Sequence, residues 1–306
     1  VKIGIIEILL FVVLSLIWGS SFYFMKHAMY DADGNTIFTN QQVASLRMVV
    51  AGTSLLPVAL YNLRKLLNFK VLSSVMLVGI FGNFIPAFLF TYAQTGLISG
   101  YVGMLNAATP LFSVLIAYFV FKDVLTKRHL IGLLIGILGV VLLMNTYVGD
   151  QKFDGGFWHI FAVIFATFCY GISLNVIKFQ LNNLKAIHIT AFAFLMIFLP
   201  GWFTFFWFDT SAVFVSHPLA WEGMSYVLAL SLLGTVLGVF LYAVLIARTQ
   251  PIFSSMVTFA MPIVSLFIGF LDGEKIQWIQ VLGLIIICLG IFVANKKFNK
   301  VKKLPH

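Results

Sequence analysis

The amino-acid sequence predicts an all-α, polytopic membrane protein whose ten transmembrane helices form two inverted five-helix repeats. Three observations carry that expectation: the composition, the length of the apolar runs, and residue matches between the two halves. Of 306 residues, 61% are hydrophobic and only 9% charged, with a mean hydropathy of +1.04. A soluble fold of this size needs a larger charged fraction to cover its surface. In lipid, apolar side chains are the favourable surface, and backbone polar groups must be satisfied within helices or a closed barrel. The apolar runs extend over roughly 19–25 residues, which suits helices and excludes short alternating barrel strands.

Read between polar breaks, the spans fall at 4–26, 41–62, 71–95, 98–121, 128–147, 156–179, 186–208, 222–246, 253–271 and 276–295. The first run, VKIGIIEILLFVVLSLIWGSSFYF, is too long for a signal-peptide core and no small-x-small cleavage site follows it, so it reads as a span. Most connections are short, which makes sequential helices antiparallel neighbours. The stretch 27–40 (HAMYDADGNTIFTN) is the long exception and is expected to carry irregular structure. Trp158, Trp207, Trp221 and Trp278 lie near span ends, where amphipathic rings anchor at the interface. Trp18 instead sits near the middle of the first span.

The basic residues set a direction. With the N-terminus cytoplasmic, that side collects 15 of the 19 Lys and Arg residues: Lys2; Arg64, Lys65 and Lys70; Lys122, Lys127 and Arg128; Lys178 and Lys185; Arg248; and Lys296, Lys297, Lys300, Lys302 and Lys303. The opposite side holds Lys26, Lys152 and Lys275, and Arg47 lies inside a span. The positive-inside rule then places both termini in the cytoplasm of a bacterial-type inner (plasma) membrane. Because the +9 net charge sits in short loops and a tail beside apolar spans, it does not signal nucleic acid. Cys169 and Cys288 both fall inside spans, so no disulfide framework is indicated.

The two halves match at an offset of about 150 residues. Trp18-Gly19 and Lys26 correspond to Tyr170-Gly171 and Lys178, and Gly82 to Gly234. Phe90, Tyr92 and Ala93 correspond to Phe240, Tyr242 and Ala243; Ala108, Pro110 and Ser113 to Ala260, Pro262 and Ser265. Asp123, Gly132 and Gly139 correspond to Glu274, Gly283 and Gly290. The division is a first repeat over 1–150 and a second over 151–306 that ends in the basic tail. Five spans per repeat force the second copy to enter the membrane from the opposite side. Inverted repeats recur in secondary transporters, with substrate sites near the midplane between halves.

On these residues the chain resembles the EamA-type carriers of the drug/metabolite transporter superfamily. The carrying motifs are WGSSF at Trp18–Phe22, SLRMVVAGTSLLP around Arg47, the paired stretches AATPLFSVLIAYFVFKD and FAMPIVSLFIGFLDGE, and the glycine-spaced fifth and tenth spans. The resemblance covers nearly the whole chain. It implies a ten-helix carrier of small metabolites, commonly amino acids or related compounds, often moved outward.

Membrane-embedded charge is costly and marks function by default. Arg47, about two turns in from the outer end of the second span, is either an anion or carboxylate anchor or a structural residue that snorkels or pairs with Asp31 or Asp33. Glu7 reads as interfacial. No Asp or Glu falls near a helix centre, and His129, His159 and His188 sit near helix starts. Proton-driven export of cations needs an embedded carboxylate. The expected substrate is therefore a neutral or zwitterionic metabolite moved by facilitated diffusion or exchange. The substrate-binding candidates are Trp18, Asn83, Tyr92, Asn106, Tyr170, Asn175 and Tyr242, with Gln94 beside them. An amide in hydrocarbon must find a partner, either in a wet cavity or on a neighbouring helix. Pro110 and Pro262 are candidate hinges or tolerated kinks. The spacings Gly132-x-x-x-Gly136 and Gly234-x-x-x-Gly238 read as packing faces.

The expected partners are a small-molecule substrate and membrane lipid, with no nucleic acid. No metal, cofactor or catalytic constellation is expected. Asp31 and Asp33 have only His27 nearby, and Asp150/Asp154 stands alone, so an enzyme is disfavoured. Two alternatives stay open: a proton-coupled drug or cation exporter, and a non-carrier membrane protein such as a lipid scramblase.

Overall fold

The computed structural model describes residues 4–66, 68–146, 156–249 and 256–295. Lys152, the Asp150/Asp154 pair and the basic tail beyond Asn295 lie outside these residues. Eight helices are long and apolar enough to cross a membrane. They are α1 (Ile5–Met29), α2 (Asn40–Tyr61), α3 (Phe69–Ala93), α4 (Ser99–Phe119), α5 (Lys127–Met144), α6 (Phe157–Gln180), α7 (Ala186–Trp207) and α8 (Ala220–Leu245). Two shorter apolar helices, α9 (Val257–Leu271) and α10 (Trp278–Asn295), complete the ten. The described residues contain no strand, only an isolated bridge between Tyr30 and Thr36.

An even number of crossings puts the start of α1 and the end of α10 on one face of the bundle, called here the terminal end. The opposite face is the far end. At the far end, the long first loop is short-range irregular structure. Asp31 accepts hydrogen bonds from the Asp33 and Asn35 amides and from the Asn35 side chain, and Gly34 turns the chain at φ +85°. The Thr39 hydroxyl accepts from the Gln42 amide while the Gln42 side chain accepts from the Thr39 amide. That reciprocal cap satisfies two donors the first turn of α2 leaves free.

The halves interlock rather than stand side by side: α1 packs on α9, α2 on α7, α3 on α6, and α5 on α10. The α5–α10 seam explains its glycines. A Cβ at Gly132 would run into the Gly290 carbonyl and Ala294, and one at Gly139 into the Gly283 carbonyl and Ile287. Small residues let the backbones touch where lipid supplies no hydrophobic drive for association.

Two helices are locally unwound at matching places. Residues Ile80–Phe84 in α3 and Ala229–Leu237 in α8 form wide π turns, which contain the repeat-related Gly82 and Gly234. Such turns disturb the usual i→i−4 ladder and occur often at functional sites. α4 is also interrupted, between Asn106 and Thr109, immediately before Pro110. Its counterpart α9 runs unbroken past the buried Pro262.

Candidate functional site: a cavity open at one end and an ion network at the other

A cavity of about 380 Å³ opens at the terminal end of the bundle. Its walls come from both halves: Pro110, Ser113 and Val114 of α4, Asn175 and Lys178 of α6, Tyr242 of α8, Thr258 and Phe259 of α9, with His129 and Ile291. Asn175 is fixed in the wall, its amide donating to the Ser113 carbonyl (2.8 Å), the Ser113 hydroxyl (3.1 Å) and the Gly171 carbonyl (2.8 Å). Behind Tyr242, at 5.1 Å between ring centroids, lies Trp18. Its indole N–H donates to the Gly234 carbonyl inside the π segment of α8 (2.8 Å). An unwound segment thus has its carbonyl satisfied by a side chain from the other half.

At the mouth of the cavity Lys178 meets Asp123 at 2.8 Å, with side chains 59% and 40% exposed. The hydrogen bond from Lys178 holds the Asp123 carboxyl below the usual carboxylate range, assisted by the Val124 amide. A second pair at this end, Arg248 to Glu7 (2.9 Å), ties α8 to α1.

The far end is built from the repeat-related residues, and it is shut. Glu274, its side chain 2% exposed, accepts hydrogen bonds from the Ser99 amide (2.8 Å), the Gly100 amide (2.8 Å) and the Ser99 hydroxyl (2.7 Å). These donors open α4, so the carboxylate also meets the positive end of that helix. Lys26 reaches both Glu274 (3.2 Å) and Asp272 (2.5 Å), and His27 contacts Asp272 (2.9 Å). Above this network α4 lies directly on α9. A Cβ at Gly100 would stand 3.0 Å from Glu274 Oε2 and 3.6 Å from the Leu266 backbone. Ser265 donates to the Ser99 carbonyl across the seam.

With this geometry the comparisons with known proteins agree. The description "EamA-like transporter family" matches the chain twice, over residues 5–145 and 157–296. The chain belongs to the EamA-like transporter family. It is similar to a probable amino-acid metabolite efflux pump of Escherichia coli (strain K12), 23% identical over 95% of this chain and 94% of that one. An uncharacterized transporter of Bacillus subtilis (strain 168), YoaV, is 23% identical over 99% of each. A solved crystal structure with 16% identity matches 94% of this chain and 96% of that one at a TM-score of 0.58, which bears on the fold alone. The EamA-family chain is therefore an integral membrane protein of the transporter class, built as ten helices in two inverted repeats.

Of the residues singled out in the sequence, this EamA-family cavity gathers Pro110, Asn175 and Tyr242, with Trp18 directly behind. Asn83 donates instead to the Val78 carbonyl of its own helix (3.3 Å), inside the π segment of α3. The Asn106 side chain accepts from Thr109 across the break in α4. Tyr92 is at the far end, stacked on His159 at 4.7 Å. Gln94 donates to the Phe22 carbonyl. Tyr170 packs on Phe90, with the Arg47 guanidinium close by. Asp31 is spent on its own turn. Glu7 does more than sit at an interface, since it pairs with Arg248. The residues that sequence reasoning passed over are Asp272, Glu274, Asp123 and Lys178 as partners. The signal was present: Lys26 matches Lys178, and Asp123 matches Glu274, at the offset that relates the repeats.

Proposed function

We propose that the chain is a carrier that moves small neutral or zwitterionic metabolites, such as amino acids, by alternating access, in the outward direction. The observation that carries this reading is the asymmetry between ends: the repeat-related carboxylate is buried at the far end, under a partly exposed Lys26, and exposed beside a cavity at the terminal end. An inverted repeat supplies a second state by exchanging the conformations of its halves. In that state the Lys26–Asp272–Glu274 network would part and the Lys178–Asp123 pair would close. The 15-to-3 bias of basic residues supports a cytoplasmic terminal end and hence a cavity facing the cytoplasm, in a bacterial-type inner membrane. The efflux description of the Escherichia coli relative supports outward movement of amino-acid metabolites.

In this proposal the halves divide at 150/151. Trp18, Asn83, Asn106, Tyr170, Asn175 and Tyr242 line the path that substrate follows, with Tyr92 at its far exit. Pro110 and Pro262 are the hinges: the α4 break before Pro110 is the open form and the continuous α9 around Pro262 the closed one. The proton-coupled alternative draws on one observation, the partly buried His27–Asp272–Lys26–Glu274 cluster, which offers groups that can exchange protons.

Reconstitution into liposomes tests both readings. Labelled amino acids and related metabolites should exchange in counterflow without a pH gradient. Folded protein that moves no solute would sink the carrier reading. Flux that demands a proton gradient would transfer the coupling role to the far-end cluster.

A further inference from the structure

Arg47 forms no ion pair among the described residues. It lies seven residues into α2 from Asn40, about 10 Å below the helix start at 1.5 Å per residue. Its neighbours Ser45, Leu46 and Met48 are almost completely buried, while Arg47 itself is partly buried. Its Nε is buried with no hydrogen-bond partner. The hydroxyl of Tyr170, on α6 of the opposite half, lies close to the guanidinium and carries no charge. The carboxylates of the described residues are engaged elsewhere or distant. Glu7 is held by Arg248, Asp123 by Lys178, and Asp272 and Glu274 by Lys26. Asp31 is bound in its own turn, while Asp33, Asp209 and Glu222 are exposed and form no ion pair.

A guanidinium held in a membrane interior without a counter-ion is unfavourable, and a chain keeps one there when something else supplies the negative charge. The flat fork of five donors matches a carboxylate in bidentate fashion. Tyr170 is the repeat counterpart of Trp18, so this cation sits where the two halves meet at mid-depth.

We propose that Arg47 is the anchor for a carboxylate on the transported solute, with Tyr170 as the positioning residue that aims the guanidinium. This rests on the carrier reading and narrows it: solutes with a free carboxylate are taken, whereas their amides, esters and decarboxylated amines are refused. An amino acid would neutralise Arg47 with its carboxylate and leave its ammonium toward the aromatic walls.

Two measurements on the full-length protein decide the matter, one with flux and one without. In counterflow, pooled L-amino acids are compared with the pooled L-amino-acid amides. The wild type should move acids and reject amides. Arg47→Gln should raise the KM for acids about tenfold or more, the loss expected of one charge-assisted hydrogen bond. Tyr170→Phe, which keeps the ring, should raise KM less and leave kcat near the wild-type value. Amides moved as well as acids, or an unchanged KM in Arg47→Gln, would overturn the assignment.

The second measurement is the melting temperature of detergent-solubilised protein without any ligand. An uncompensated cation kept for a ligand destabilises the empty carrier, so Arg47→Gln should melt higher than wild type. A lower melting temperature, or failure of Arg47→Gln to fold while Tyr170→Phe folds and keeps its KM, would make Arg47 structural. This readout holds even if the carrier reading fails for every solute.

Discussion

The two ends of the bundle carry the same chemistry in opposite surroundings. At each end a lysine from the first helix of one repeat meets a carboxylate from the loop between the last two helices of the other: Lys26 with Glu274 and Asp272, Lys178 with Asp123. At the far end the carboxylate is buried, capped onto the start of α4 and joined by His27. At the terminal end the pair is half-exposed at a cavity mouth. Residue type does not separate these pairs. Helix packing does, because α4 lies on α9 above Glu274, whereas the Pro110 half of α4 leans on α6 and leaves the cavity beside it. A buried, many-partnered carboxylate and a solvated one differ severalfold in what their removal costs.

The sharpest way to break the comparison is Glu274→Ala. It leaves three donors at the start of α4 without their acceptor, while Lys26 keeps Asp272. Removal of one partner from a buried pair costs about 3–5 kcal/mol. The far end should loosen, read as faster labelling of Ser265→Cys by a membrane-impermeant maleimide in a background without Cys169 and Cys288. Unchanged labelling would show that packing alone keeps this end shut. Next in size, Lys26→Met should open the far end less, since Glu274 retains Ser99 and Gly100. A Lys26→Met effect equal to that of Glu274→Ala would assign the seal to the ion pair and not to the helix cap.

At mid-depth, Trp18→Ala removes the donor to Gly234 and a ring packed on Tyr242. It should reduce counterflow far more than Trp278→Ala, whose ring is 87% exposed at the start of α10. Asn83→Leu should also impair flux more than Trp278→Ala; equal effects would place the solute path elsewhere.

The smallest effect belongs to the terminal end. Asp123→Asn should change stability by under about 1 kcal/mol, the range of exposed ion pairs. The sign of its pH dependence follows from the lowered carboxyl. The contribution of Asp123 is present above the ordinary carboxylate range and disappears only as pH falls through its depressed value. Between pH 5 and 8, as a working range for the flux assay, wild type and Asp123→Asn should therefore give parallel pH profiles. Divergence there would mean that the Asp123 carboxyl takes up a proton within this range in some state of the cycle.

Much of this architecture was legible in the chain. The apolar runs located all ten helices, with ends within a few residues, because the length of hydrocarbon to be crossed is set by the membrane and not by tertiary contacts. Gly132 and Gly139 announced a close helix seam, and they meet Gly290 and Gly283 as matched copies should. Trp18 stood out as a tryptophan at the wrong depth, and it does bridge the halves. The cavity residues were harder to find. Asn83 and Asn106 bear amides at suitable depth but bond within their own helices, which a single sequence does not distinguish from facing a cavity. The π segments left no composition signal, since their wide turns arise from how α3 and α8 are held by neighbours.

Hydropathy, charge bias and the repeat are written into residue order, because each depends only on the chain and on the slab it crosses. Which end of the bundle is shut depended on the packed structure. Inverted repeats relate the two ends without making them identical: Asp272 and His27 have Phe121 and Phe179 in the matching places, and the packing between α4 and its neighbours adds to that difference. The same packing decides that Glu274 is buried among donors while Asp123 stays wet, and that Arg47 is left facing Tyr170 without a carboxylate.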